Sequence, residues 1–84
     1  MSRTLLLADE NATMHRIVAL TFAERDIRVI SARDGIEAIE LIGRDRPDIV
    51  VADANLPRLD GYKLAQYVTS QPFLAGVPVL LLTR

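Results

Sequence analysis

The sequence predicts an α/β fold in three layers: a parallel sheet with helices on both faces. Three observations carry that prediction. Four short apolar runs are separated by three longer segments of helical period. The first and third runs, Leu5-Leu6-Leu7-Ala8 and Ile49-Val50-Val51-Ala52, lack polar alternation, as strands buried on both faces do. The separators are long enough for crossover helices, and strand–helix–strand crossovers are right-handed and join parallel strands.

Residues 4–8 form the first strand, ended by Asp9. Helical spacing follows over residues 12–25, with Met14, Ile17, Val18, Thr21 and Phe22 on one inward stripe and Asn11 as the cap. His15 falls off that stripe and is expected to be exposed. The second strand spans residues 27–31. Asp34-Gly35 then turns the chain into a second helix, whose inward face carries Ile36, Ile39 and Gly43. Pro47-Asp48 ends that helix, and residues 49–52 are the third strand. Pro57 and Gly61 punctuate a loop before a third helix over residues 62–70, with Leu64, Ala65 and Val68 inward and the tyrosines 62 and 67 as packing groups. Pro72, Gly76 and Pro78 mark the turn into the fourth strand, residues 79–82.

Eighty-four residues make one domain, spanning 1–84. The chain has no Cys and one His, which excludes disulfides, thiolate zinc sites and histidine-rich metal sites. Carboxylates are left as the metal ligands, and they favour a hard cation such as Mg²⁺. Net charge is −1 and the basic residues are scattered, so no nucleic-acid stripe or membrane-binding patch is expected. The longest apolar runs are too short to cross a bilayer, and the N-terminus lacks the pattern of a signal peptide. A cytoplasmic location is expected.

In an open parallel sheet, ligands bind beyond the carboxyl ends of the strands. Asp9 and Glu10 follow the first strand, Asp53 the third and Thr83 the fourth, so three carboxylates and a hydroxyl are expected at one edge. Like charges at close range raise one another's pKa, and a divalent cation relieves the conflict. Such a cation also offsets charge during phosphoryl transfer. A carboxylate at the bottom of the cleft can then act as nucleophile, with the Thr83 hydroxyl as a donor to the phosphoryl oxygens.

Leu6-Leu7-Ala8-Asp9-Glu10-Asn11 resembles the acidic opening of response-regulator receiver domains. The segment from Asp48 to Gly61, with Asp53 followed by Pro57 and Gly61, is similar to their phosphorylation segment. Val77-Pro78-Val79-Leu80-Leu81-Leu82-Thr83 resembles their fourth strand with its terminal Ser or Thr, and Asp34-Gly35 with Glu37-Ala38 their turn into the second helix. The resemblance implies a flavodoxin-like, receiver-like sheet of order 2-1-3-4. It implies Asp53 as phosphoacceptor, Thr83 as phosphate contact, and Mg²⁺ held by Asp9, Glu10, Asp53 and the Asn55 backbone carbonyl. The implied phosphodonor is a histidine kinase or a small acyl phosphate, and the implied role is signalling rather than enzymatic turnover.

The departures are as informative. The family pattern continues through a fourth helix, a fifth strand ending in a lysine and a fifth helix, whereas this sequence reaches Arg84 just after the fourth strand, and its one lysine is Lys63. Arg84 is either a solvated tail or a replacement cation for that lysine. A fold truncated after the fourth strand leaves an apolar strand edge and an uncovered sheet face. Several hundred Å² of such surface, at roughly 25 cal/mol per Å², is on the order of 10 kcal/mol, comparable with the stability of a small domain. A homodimer through the fourth-strand edge or the uncovered face is therefore expected, unless the chain is a piece of a longer protein. The alternative function is a phosphorylation-independent pseudo-receiver acting as a self-associating interaction module. An aspartate-based phosphohydrolase is disfavoured by Asn55, which stands where such enzymes place a second aspartate, and a nucleotide-binding fold by the lack of a glycine-rich loop after the first strand.

Overall fold

Residues 2–83 are described by the structure, a computed structural model. The elements run β1 (Arg3–Ala8), α1 (Ala12–Thr21), β2 (Ile27–Ala32), α2 (Gly35–Asp45), β3 (Ile49–Asp53), α3 (Gly61–Ser70), a short 3-10 turn (Pro72–Leu74) and β4 (Val79–Leu82). All three strand pairings are parallel, and the sheet order is β2-β1-β3-β4. This is the expected α/β sheet of order 2-1-3-4. The order reverses between β1 and β3, so their carboxyl ends flank the crevice where such sheets take ligands.

Register separates the two faces of the sheet. Leu6 pairs with Ile30 and Val50, and Val50 with Val79; two residues on, Ala8 pairs with Ala32 and Ala52, and Ala52 with Leu81. With the side-chain period of two, these residues share one face, and they form the main core with Ala38 and Ile42 of α2 and Leu64 and Val68 of α3. Small alanines at the carboxyl ends bring helices close to the strands, while Leu6 and Val50 fill the middle. A fully buried leucine there contributes about 1.5–3 kcal/mol over an exposed one. The opposite face carries Leu5, Leu7, Val29, Val51, Leu80 and Leu82.

Three helix starts are set by local chemistry. Asn11 accepts from the amides of Thr13 and Met14, Asp34 from that of Glu37, and Asp60 from that of Lys63. Glu37 in turn accepts from the Arg33 amide at 2.6 Å, one residue before the cap, so the two acids tie the start of α2 from both sides. On α2 the inward residues are Gly35, Ala38 and Ile42; Ile36 and Ile39 are half-buried and Gly43 is exposed, contrary to its expected inward position. Gly43 lies a residue beyond Ile42, off the stripe that Ala38 and Ile42 define.

The first helix differs most from expectation. It stops at Thr21 rather than Arg25, and both Ile17, 53% exposed, and Thr21 face solvent. Its one buried residue is His15, which was expected on the outside. The helix is so weakly amphipathic that apolar residues lie nearly all round it, and the stripe could not be phased from them. The tyrosines divide as packing groups do, Tyr67 against the core and Tyr62 exposed. No described helix is long and apolar enough to cross a membrane.

Candidate functional site

At the carboxyl edge of the sheet, an aspartate follows β1 and another ends β3, and each folds the chain back on itself. Asp9 Oδ1 accepts from the Asn11 amide at 2.8 Å, and Asp53 Oδ1 accepts from the Asn55 amide at 3.0 Å. Both are Asx turns, which hold a carboxylate at the strand end. Both aspartates are buried, Asp9 to 3% and Asp53 to 8% exposure.

They face one cavity of about 260 Å³, lined by Asp9, Met14, Asp53, Leu82 and Thr83. The ladder between β3 and β4 runs one step past the strand, Ala54 N–H to Leu82 O at 3.0 Å, and this sets Thr83 beside Asp53. Glu10, also expected here, sits at the bend after Asp9 with its side chain exposed, outside that lining; Asn55 is exposed as well. Among the described residues, no three His, Cys, Asp or Glu side chains gather closely enough to share one ion. The pocket acids are therefore a pair, Asp9 and Asp53, with Glu10 at the rim.

The loop after Asp53 is held from below. Gly61 opens α3, and its N–H donates to Ala54 O at 3.0 Å. A Cβ at Gly61 would lie 2.5 Å from Asp53 O, so α3 approaches β3 as closely as only glycine permits. A Cβ at Gly35 would strike the backbone oxygen of Leu59, and the Gly35 N–H donates to Pro57 O at 3.2 Å. Arg58, at φ 68°, lies in the left-handed region and pairs with Asp34 Oδ2 at 3.1 Å. Asp34 has its carboxyl held below the usual range, first by the Glu37 N–H it accepts; burial opposes this, and the Arg58 guanidinium adds to the lowering.

Two buried carboxylates at one opening, with room for water, fit a small hard cation. Mg²⁺ takes one or two carboxylates and keeps several waters. Sequence reasoning missed Met14 as part of the lining and His15 beneath Asp9, whose Nε2 lies 2.6 Å from the Asp9 main-chain oxygen. The signal for His15 was its spacing, four residues after the cap Asn11, on the side of the helix that turns back to the strand end. Arg84, read as a replacement cation, lies outside the described residues.

A family model described as the response regulator receiver domain matches residues 5–84. The response regulator MprA of Mycobacterium ulcerans is 34% identical over 83 residues, covering 99% of this chain and 35% of the relative. A probable transcriptional regulator ycf27 of Porphyridium aerugineum is 35% identical over 79 residues, 94% of this chain and 32% of its own length. The chain thus spans about a third of the curated relatives it matches. Among solved structures, the chemotaxis response regulator CheY4 of Vibrio cholerae superposes with a TM-score of 0.90 at 25% identity, over 96% of this chain and 68% of that one. The Mn²⁺-bound form of response regulator Rcp1 superposes at 0.87 with 27% identity, over 96% and 65%. Strand order, paired aspartates at the switch point and a family match over nearly the whole sequence agree: the chain belongs to the response-regulator receiver domains.

Proposed function

We propose that this chain is a working phosphoacceptor, in which Asp53 takes a phosphoryl group in the presence of Mg²⁺. The observation that carries the reading is the pair of buried aspartates, Asp9 and Asp53, facing one cavity with Thr83 at its rim. An Asp53 carboxylate oxygen forms the new O–P bond as the bond from phosphorus to the donor breaks. With a phosphohistidine donor on a partner kinase, the leaving imidazole nitrogen takes a proton from solvent; with acetyl phosphate, acetate leaves. When bound, Mg²⁺ neutralises charge on the transferring group. Asp9, Asp53 and the Asn55 carbonyl are the groups that would hold it, with Glu10 outermost. The Thr83 hydroxyl donates to a phosphoryl oxygen, where the negative charge gathers, and the close Gly61 contact holds β3 in place as the O–P bond forms on Asp53.

Intact-protein mass after incubation with acetyl phosphate and Mg²⁺, beside Asp53→Asn, tests the reading. One phosphoryl adduct on the wild type alone supports it; an unmodified but folded wild type contradicts it.

A second reading is favoured by a different observation. Leu80 is 51% exposed on β4, on the sheet face opposite α2 and α3. A self-associating interaction module that signals without phosphorylation would use that face, and a folded wild type lacking any adduct turns the balance toward it.

A further inference from the structure

The single buried residue of α1 is polar. His15 is 7% exposed, and its Nε2 lies 2.6 Å from the main-chain oxygen of Asp9. A carbonyl oxygen only accepts, so Nε2 carries the proton and the imidazole is the donor. Nδ1 is buried and makes no hydrogen bond with any described residue. Burying an imidazole with one nitrogen unsatisfied is unfavourable, and an aliphatic side chain would fill the same space without that cost. What the imidazole supplies that an aliphatic group does not is the bond to Asp9.

That bond acts on the backbone of Asp9, one of the two acids that line the pocket. The Asp9 N–H donates to Ala32 O at 3.0 Å, and its carboxylate accepts from Asn11 N–H at 2.8 Å. The bond from His15 takes the third polar group of Asp9, its carbonyl, and so fixes the peptide that joins Asp9 to Glu10. It is also a link of six residues from the helix back to the strand end, inside the protein, where a hydrogen bond is stronger than in water.

We propose that His15 is a positioning residue for the acid pocket: its Nε2 donation to the Asp9 carbonyl fixes the Asp9–Glu10 peptide and, through it, the aim of the Asp9 carboxylate at a divalent cation. The inference rests on the Mg²⁺-dependent receiver reading. Groups that orient a metal's ligands from behind are commonly worth 10–100-fold in affinity.

The test is Mg²⁺ affinity by calorimetry on wild type, His15→Leu and His15→Gln, with a thermal melt of each and long-range ¹H–¹⁵N spectra of the metal-free wild type. Gln places an amide nitrogen near the position of Nε2, whereas Leu keeps the bulk and loses the donor. The expected result is an Nε2–H tautomer in the metal-free protein, a Kd raised about 10-fold or more in His15→Leu, and a Kd within about 3-fold of wild type in His15→Gln. A His15→Leu protein that binds Mg²⁺ as wild type does, or an Nδ1–H tautomer, overturns the proposal. Should His15→Leu fail to fold, His15→Gln decides: folded with near-wild-type affinity upholds the role, folded with weakened affinity overturns it. A wild type that binds no Mg²⁺ contradicts the receiver reading itself, and the positioning role with it.

Discussion

Gly61 is where β3 and the helix that follows it meet backbone to backbone. With Asp53 O only 2.5 Å from where a Cβ would stand, Gly61→Ala must push α3 off the strand or bend the loop that carries Asn55. Overpacking of this kind costs about 1–3 kcal/mol, so the variant is expected to unfold at lower urea concentration and to accept phosphoryl groups more slowly; an unchanged urea midpoint would contradict the close approach. Sequence reading found this glycine as punctuation after Pro57, but the contact that requires it is long-range and had no local trace. The positions of Asp9, Asp53 and Thr83 were legible, because strand ends follow directly from where the apolar runs stop. Side-chain direction was not: Glu10 stands next to Asp9 in sequence, yet the bend after β1 turns it out to solvent.

Helix starts in this protein depend on single side chains, and two of them make predictions. Asn11→Ala removes the acceptor for the Thr13 and Met14 amides and should cost about 1 kcal/mol of stability, read by denaturant unfolding. Asp34 caps α2 while its carboxyl sits below the usual range, chiefly because of the Glu37 N–H. A depressed folded-state pKa contributes stability above the unfolded value of about 3.9 and loses it as pH falls through the folded value. Asp34→Asn keeps a good cap and removes the titration. Its stability should therefore fall less than wild type's between about pH 6 and about pH 3, and an acid limb as steep as wild type's would contradict the assignment. Element existence and order were legible from period and turn residues alone. The phase of α1 was not, because Ile17 and Leu20 are apolar yet exposed while the buried position is a histidine.

Taken whole, the sheet is unequally covered. Its α2–α3 face holds the main core, while the other carries half-buried Val51 and Leu82 and exposed Leu80. β4 is an edge of this sheet, and an apolar edge strand with an exposed leucine invites association. The 84-residue polypeptide is expected to show a mass above the monomer in light scattering, reduced by Leu80→Lys; a monodisperse monomer at micromolar concentration would contradict this. Strand order was legible from the family resemblance rather than from periodicity, which gives parallel strands but not their neighbours. The central claim, that Asp53 is the acceptor, is tested most directly by finding the phosphoryl group itself. After acetyl phosphate and Mg²⁺, borohydride reduces an aspartyl phosphate to homoserine, which tandem mass spectrometry places in the chain. The account predicts homoserine in place of Asp53 and nowhere else; its absence from a folded protein, or its appearance at another carboxylate, would contradict it.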